Sequence, residues 1–199
     1  MKRFYIQQRI QPLANQYKVY EADEAGGQGK LIAFAHQKRF AFREKFTLYN
    51  DESKSSILLE VQARQVIDFG ARYDIKDESG KILGVVGKAF GASLLKSTWH
   101  IFQPGQEDAP HLIVRERSTG LAIMRRLWEF LPIVGDIPFF VKYHFDFIDP
   151  NTGTVQASYD KVTTFRDNYR LDVDDKAATE LDPRVFVAMG VMLDALQSR

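Results

Sequence analysis

The stretch that decides the fold lies near the end of the chain and consists of Asp182-Pro183-Arg184-Val185-Phe186-Val187-Ala188-Met189-Gly190-Val191-Met192-Leu193-Asp194-Ala195-Leu196. Asp182 suits an N-cap, because its carboxylate can accept from the free N–H groups of the first turn, and Pro183 suits the first helical position, where no N–H is needed. The residues that follow are apolar almost all round the predicted helix. A helix without a polar stripe must be surrounded by protein or by lipid.

The length of this helix favours protein. At about 1.5 Å per residue it spans roughly 22 Å, which is short of the roughly 30 Å hydrocarbon core of a bilayer. We therefore predict a core helix over residues 182–197, enclosed by the other elements of the fold.

Most of the remaining chain has the side-chain pattern of β-strands. The odd-numbered residues from Phe139 to Phe147 are all large and apolar, which is the period of a half-buried antiparallel strand. Turn-forming stretches such as Gly26-Gly27 and Asn151-Thr152-Gly153 separate the runs. A spacing of about 8 to 12 residues per strand predicts a sandwich or a barrel.

A closed barrel satisfies both observations, because strands wrapped around the apolar helix cover it on every side and leave no exposed sheet edge. A two-layer sandwich with the helix on one face is the alternative, but it leaves an apolar flank in water. We predict a mainly β fold, an antiparallel barrel around the helix, in a single domain over residues 1–199.

One further stretch has helical spacing. Between Leu121 and Leu131 the apolar residues recur every three or four positions with Arg125 and Arg126 between them, which predicts an amphipathic helix near residues 120–131 that Pro132 ends.

Composition excludes several kinds of protein. The formal net charge is +1 and the chain has no cysteine, so a nucleic-acid partner is not expected and disulfides, thiolate metal sites and cysteine nucleophiles are ruled out. The N-terminus turns polar too early for a signal peptide, and no apolar run is long enough to span a bilayer. These observations predict a cytoplasmic protein that could still associate with a membrane surface.

The order of several segments resembles that of a known superfamily. The tail Phe165-Arg166-Asp167-Asn168-Tyr169-Arg170-Leu171-Asp172, followed by Leu181-Asp182 and the apolar helix, is similar to the C-terminal end of phospholipid scramblases and of the related LURP-one-like and Tubby-like proteins. The stretches Lys81-Ile82-Leu83-Gly84 and Ser97-Thr98-Trp99-His100-Ile101 are similar to the hairpin and tryptophan strand of that superfamily, and 37–45 resembles its bacterial LURP-one-like members.

This resemblance implies about twelve antiparallel strands around a central C-terminal helix, in agreement with the fold predicted above. It implies less about activity. Scramblases carry a palmitoylated cysteine cluster that this chain lacks, and the phosphoinositide-binding residues of Tubby-like proteins cannot be matched one by one.

Two basic clusters are candidate anion-binding sites. Lys38, Arg39, Arg43 and Lys45 alternate with phenylalanines, and Arg125 and Arg126 lie beside Trp128. Cations with aromatic anchors suit an anionic phospholipid surface. Each cluster also has a purely structural interpretation, which we favour over anion binding. The first cluster would be a strand with one charged face, and the second a helix docked on the barrel.

Asp172, Asp174 and Asp175 form an acidic cluster before the last helix, near the position where scramblase-like proteins are proposed to bind calcium. An EF-hand loop needs a glycine at its sixth position and a glutamate at its twelfth. Counted from Asp172 these positions hold Ala177 and Pro183, so a solvated acidic loop is the favoured interpretation.

No catalytic motif is found, and the four histidines lack metal-site spacing. We therefore expect a non-enzymatic binding module without a cofactor, whose partner is an anionic membrane surface or a protein. The alternatives are a small-molecule binder or enzyme with a site at a barrel mouth, and a calcium-responsive scramblase-like protein. The sequence does not indicate an oligomeric state.

Overall fold

Antiparallel strands form a closed barrel in the computed structural model of the protein, which describes residues 1–10, 14–38, 45–64, 72–89, 98–117, 144–163 and 167–197. Within these ranges, twelve strands are followed by two helices. They are β1 Lys2–Ile10, β2 Ala14–Ala22, β3 Gln28–Lys38, β4 Lys45–Tyr49, β5 Ile57–Ala63, β6 Arg72–Asp77, β7 Ile82–Lys88, β8 Thr98–Phe102, β9 Leu112–Glu116, β10 His144–Ile148, β11 Val155–Lys161, β12 Asn168–Val173, α1 Asp175–Glu180 and α2 Pro183–Gln197. The predicted mainly β barrel is confirmed.

The barrel is a simple meander. Each strand pairs with the next one along the chain, and β1 closes the ring against β12, with Phe4 opposite Leu171. Because successive strands run in opposite directions, the connections alternate between the two ends of the barrel. We call the end at which α2 begins the lower end and the end at which it finishes the upper end.

The last helix lies inside the barrel, as predicted. All residues from Val185 to Leu193 are buried, and their side chains belong to one core cluster with the inward side chains of the strands. The ring of Phe186, for example, lies 5.7 Å from that of Phe147 on β10. The predicted N-cap is also confirmed, because the backbone N–H of Arg184 donates to the Asp182 carboxylate at 2.9 Å.

Two predicted segments lie outside the described residues. They are the amphipathic helix near 120–131 and the part of the Phe139–Ile148 strand before His144. In contrast, α1 was not predicted, since the acidic stretch that leads into it was interpreted as a loop. No helix in the described ranges is both long enough and apolar enough to cross a membrane.

Glycine allows the helix to approach the barrel wall closely. A Cβ placed on Gly190 of α2 would lie 2.8 Å from Cδ1 of Ile6 and 3.1 Å from the ring of Tyr159. On the barrel wall, a Cβ placed on Gly84 of β7 would lie 3.0 Å from both methyl groups of Val185 on α2. These distances are shorter than normal carbon contacts, so the fit of helix to barrel depends on hydrogen atoms at these positions.

Asp194 is the polar exception on the buried part of α2, with 1% of its surface exposed. Its carboxylate accepts hydrogen bonds from the hydroxyls of Tyr17, at 2.9 Å, and Tyr169. The Gln8 amide in turn donates to the Tyr17 hydroxyl at 3.0 Å. A buried carboxylate is tolerated only with such donors, so this group fixes the upper part of α2 against β1, β2 and β12.

We predict that Gly190→Ala destabilises the protein, although the same change normally stabilises a helix by about 1 kcal/mol. Overpacking against Ile6 should lower the free energy of unfolding by about 1–3 kcal/mol, measured by urea denaturation. In an Ile6→Val background, which removes the contacting Cδ1, the loss should be smaller by about 1 kcal/mol. Equal losses in both backgrounds would show that this contact does not limit the packing.

Candidate functional site

The barrel interior is occupied by protein. The inward side chains of the strands and α2 form one continuous buried cluster in the described part of the chain. A ligand therefore meets this protein at the flank of the barrel or at one of its two ends, rather than in a central cavity.

Ion pairs across neighbouring strands neutralise much of the flank. Arg3 on β1 contacts Asp172 on β12 at 2.6 Å, and Arg170 contacts the same carboxylate at 3.1 Å. The row continues over β11, β10 and the end of β9 through Asp160, His144, Asp146 and Arg117. Cations that already have a carboxylate at this distance attract an anionic surface weakly, so these paired cations contribute little to anion binding on this part of the flank.

The lower end is acidic. It contains the connections 23–27, 50–56, 78–81, 103–111 and 149–154 and residues 174–182, all of them described. Its acidic residues are Asp23, Glu24, Asp51, Glu52, Glu78, Asp108, Asp149, Asp174, Asp175, Glu180 and Asp182, and its basic residues are Lys54, Lys81 and Lys176. Glu107 also belongs to the 103–111 connection, but its carboxylate contacts Arg64 and Arg72 at the other end of β5 and β6. Carboxylates predominate strongly, so this end repels anions and attracts cations.

The connections that leave from the upper end have the opposite balance in the sequence. Their basic residues are Arg39, Arg43, Lys96, Arg125, Arg126, Lys142 and Arg166, and their acidic residues are Glu44, Asp68, Glu129, Asp136 and Asp167. Arg64 and Arg117 also belong to these connections, but they pair with Glu107 and with Asp146. The meander topology therefore joins these connections to strand ends on one side of the barrel axis, which the sequence order alone does not reveal.

Both predicted basic clusters attach to this upper end. Lys38 ends β3 and Lys45 begins β4, whereas Arg39, Arg43, Arg125, Arg126 and Trp128 lie outside the described residues. The segment with Arg125, Arg126 and Trp128 leaves the barrel after β9 and returns at β10. In the closed ring these strands are halfway around from β3 and β4, so the two clusters join opposite sides of one barrel end.

Lys45 is the described cation of the first cluster for which the structure gives a partner. Its ammonium group lies 2.7 Å from the Glu60 carboxylate on β5, and about half of its side chain, 49%, is exposed. The next residue, Phe46, is buried, which agrees with the predicted alternation of apolar inward and charged outward side chains.

The three aspartates of the predicted calcium site have separate surroundings. Asp172 pairs with two arginines, as described above, and Asp175 lies 2.6 Å from the N-terminal ammonium group. Asp174 occupies the N-cap position of α1 without a side-chain capping bond. Within the ranges that the structure describes, no group of three or more His, Cys, Asp or Glu side chains could hold a metal ion. Calcium binding was the disfavoured alternative in the sequence, and it stays untested.

A polar cleft of about 250 Å³ opens at the lower end, beside α1. It is lined by Gln103 and His111 of the β8–β9 connection, Asp149 and Asn151 of the β10–β11 connection, Leu112, Gln156, Lys176 and Glu180. The cleft was not predicted from the sequence because it depends on α1. The run Asp175-Lys176-Ala177-Ala178-Thr179-Glu180 has an acidic first turn and good helix formers, a signal from which α1 could have been predicted.

One wall of the cleft, the β8–β9 connection, is fastened to the outside of the barrel by Glu107. Its carboxylate accepts two hydrogen bonds of 2.7 Å from Arg64 and a further one from Arg72. Arg72 also stacks its guanidinium 4.7 Å from the centre of the Phe102 ring. The hydrogen bonds from Arg64, and then those from Arg72, hold the pKa of Glu107 below its usual range.

We predict that Glu107→Gln lowers the free energy of unfolding by about 1 kcal/mol at neutral pH, because two arginines lose their shared carboxylate. The depressed pKa makes this contribution full above the unfolded-state pKa, and it is lost as the pH falls through the folded-state pKa. Urea titrations should therefore show the two proteins converging between about pH 5 and pH 3. Glu24→Gln changes an exposed carboxylate of the β2–β3 connection and is the control. Its free energy of unfolding should differ from that of the parent by close to zero.

Comparison with known proteins gives a family match over most of the chain. A sequence model described as LURP-one-related matches residues 31–194. The chain is also similar to a protein of Arabidopsis thaliana whose structure was solved by X-ray methods, with 11% identity, coverage of 98% of this chain and 91% of that one, and a TM-score of 0.48. No curated protein gives a significant match.

Proposed function

We propose that this chain, which belongs to the LURP-one-related family, is a non-enzymatic module that binds an anionic phospholipid surface through the upper end of its barrel. The observation that carries the proposal is topological. Two basic clusters that are far apart in the sequence attach to the same barrel end, while the opposite end is acidic.

A flat membrane suits this arrangement better than a small anion does. The connections with Arg39 and Arg43 and with Arg125 and Arg126 join the barrel on opposite sides of its upper end. A single phosphate cannot reach both sides, whereas a planar anionic surface can contact the whole rim. Each Lys or Arg near such a surface contributes about 1 kcal/mol, and Trp128 suits the headgroup region.

The acidic lower end supports one orientation. Carboxylates such as Asp51, Glu78 and Asp175 project there from separate connections. Repulsion from anionic headgroups disfavours contact through this end, so the charge separation along the axis directs the upper end to the surface.

The filled interior supports the non-enzymatic part of the proposal. In enzymes of barrel fold the reacting groups usually converge on a cavity or mouth, and here α2 occupies the centre of the barrel. Among the described residues, a small molecule could bind in the polar cleft beside α1.

The proposal predicts flotation of the protein with vesicles that contain phosphatidylserine or a phosphoinositide, and none with phosphatidylcholine alone. Arg39→Gln/Arg43→Gln and Arg125→Gln/Arg126→Gln should each weaken binding roughly tenfold to thirtyfold, as about 1 kcal/mol per cation implies. Raising the salt concentration should release the protein.

The matched control removes two cations from the other end. Lys81→Gln is combined with Lys30→Gln, which changes an exposed residue of β3 two positions from its lower end. This variant has the same change in net charge, and it should leave vesicle binding within about twofold of the parent. Absence of flotation at low salt, or equal losses in control and test variants, would contradict the proposal. Inhibition by a soluble inositol phosphate would distinguish headgroup recognition from general surface attraction.

The calcium-responsive alternative makes a different prediction. Calcium bound to the folded state at Asp172, Asp174 and Asp175 would raise the melting temperature in proportion to its occupancy. Since Arg3 and Arg170 already neutralise Asp172, we expect calcium and magnesium to change the melting temperature equally little. A calcium-specific rise that is lost in Asp174→Asn/Asp175→Asn would favour the alternative.

A further inference from the structure

The polar cleft at the lower end is lined by a side-chain amide that makes no hydrogen bond to the described part of the protein. Gln156 of β11 is 6% exposed and lines the cleft beneath α1. Its backbone carbonyl accepts from the Asp174 N–H at 2.9 Å, but within the described residues its side chain makes no hydrogen bond. Although most of the residue is buried, the amide atoms are open to the cleft, where water or a ligand can bond to them.

The carboxylates at the rim of the cleft determine which ligands suit it. Glu180 lies 3.7 Å from the Lys176 ammonium and 3.8 Å from the His111 ring. The backbone N–H of Asn151 holds the pKa of Asp149 below its usual range, and the charge of Lys176 acts in the same direction. Lys176, Glu180 and Asp149 all line this cleft, so Lys176 marks a position at which an ammonium group lies among carboxylates.

Lys176 does not fill that position permanently. Its side chain is 63% exposed and its contact with Glu180 is longer than a hydrogen bond, so little is lost when it turns toward solvent. The surrounding end of the barrel is acidic, which raises the local concentration of cations. The wall on the far side is kept in place by the Gln103 amide, which donates to the Glu180 carbonyl at 3.2 Å.

We propose that this cleft binds a small alkylammonium ligand, with its ammonium group between Glu180 and Asp149 and a second polar group on the Gln156 amide. A volume of about 250 Å³ accommodates an aliphatic diamine or a single lysine side chain. Both candidate ligands have a primary ammonium group on a flexible chain. This group can come from a free polyamine or from a lysine of a bound peptide.

The test is calorimetric titration of the full chain at low salt with putrescine, spermidine and Nα-acetyl-lysine amide. Glu180→Gln and Gln156→Met should each weaken binding at least fivefold. Lys176→Gln should strengthen it at least threefold, because the competing internal cation is removed. A polyamine preference identifies the free amine as the ligand, and a preference for blocked lysine identifies a peptide side chain.

Lys81→Gln is the matched control, since it removes one cation from the same barrel end outside the cleft. A gain in this variant equal to that of Lys176→Gln would overturn the proposal, because it would show that general attraction to the acidic end explains the binding. No heat of binding with millimolar amine would overturn it as well. Melting curves of each variant verify that the fold is retained, and since no membrane is present the outcome is independent of vesicle binding.

Discussion

Residues Val185 to Leu193 of α2 have no face that can remain in water, and the other elements are arranged to cover them. Each large apolar side chain gains about 1.5–3 kcal/mol when it is fully buried. Leaving one flank of the helix exposed would forfeit several such contributions, a large part of the roughly 5–15 kcal/mol by which a domain is stable. A closed ring of strands avoids this loss, and glycine stands at two of its close contacts with the helix, at Gly84 of β7 against Val185 and at Gly190 of the helix against Ile6 of β1.

The filled interior has a functional consequence. A barrel that encloses a ligand uses its inward side chains for specificity, but in this protein those side chains pack on α2. Recognition is left to the flank and to the two ends. On the part of the flank formed by β1 and β10–β12, cross-strand ion pairs such as that of Arg3 with Asp172 satisfy the charges locally.

The meander topology gives the two ends different characters. Connections that follow odd-numbered strands reach the upper end, and those that follow even-numbered strands reach the lower end. Basic residues are concentrated in the first set and carboxylates in the second. A chain with a formal net charge of only +1 therefore has connections of opposite charge balance joined to the two ends of its barrel, and the membrane orientation proposed above rests on this difference.

The sequence by itself determined the barrel and its central helix, because an apolar helix with an Asp-Pro start and strands of period two leave few ways to bury both. It also indicated the family, from the order of its hairpins and tail. It did not indicate α1, whose short helix was hidden in an acidic stretch, or the cleft that α1 forms with Gln156. Those features, the neutralisation of Asp172 by Arg3 and Arg170, and the placement of Lys38 and Lys45 at the same end as the 118–143 connection were decided by tertiary structure alone. They depend on which strands become neighbours when the ring closes, and side-chain periodicity records only which face of a strand is buried, not what lies across from it.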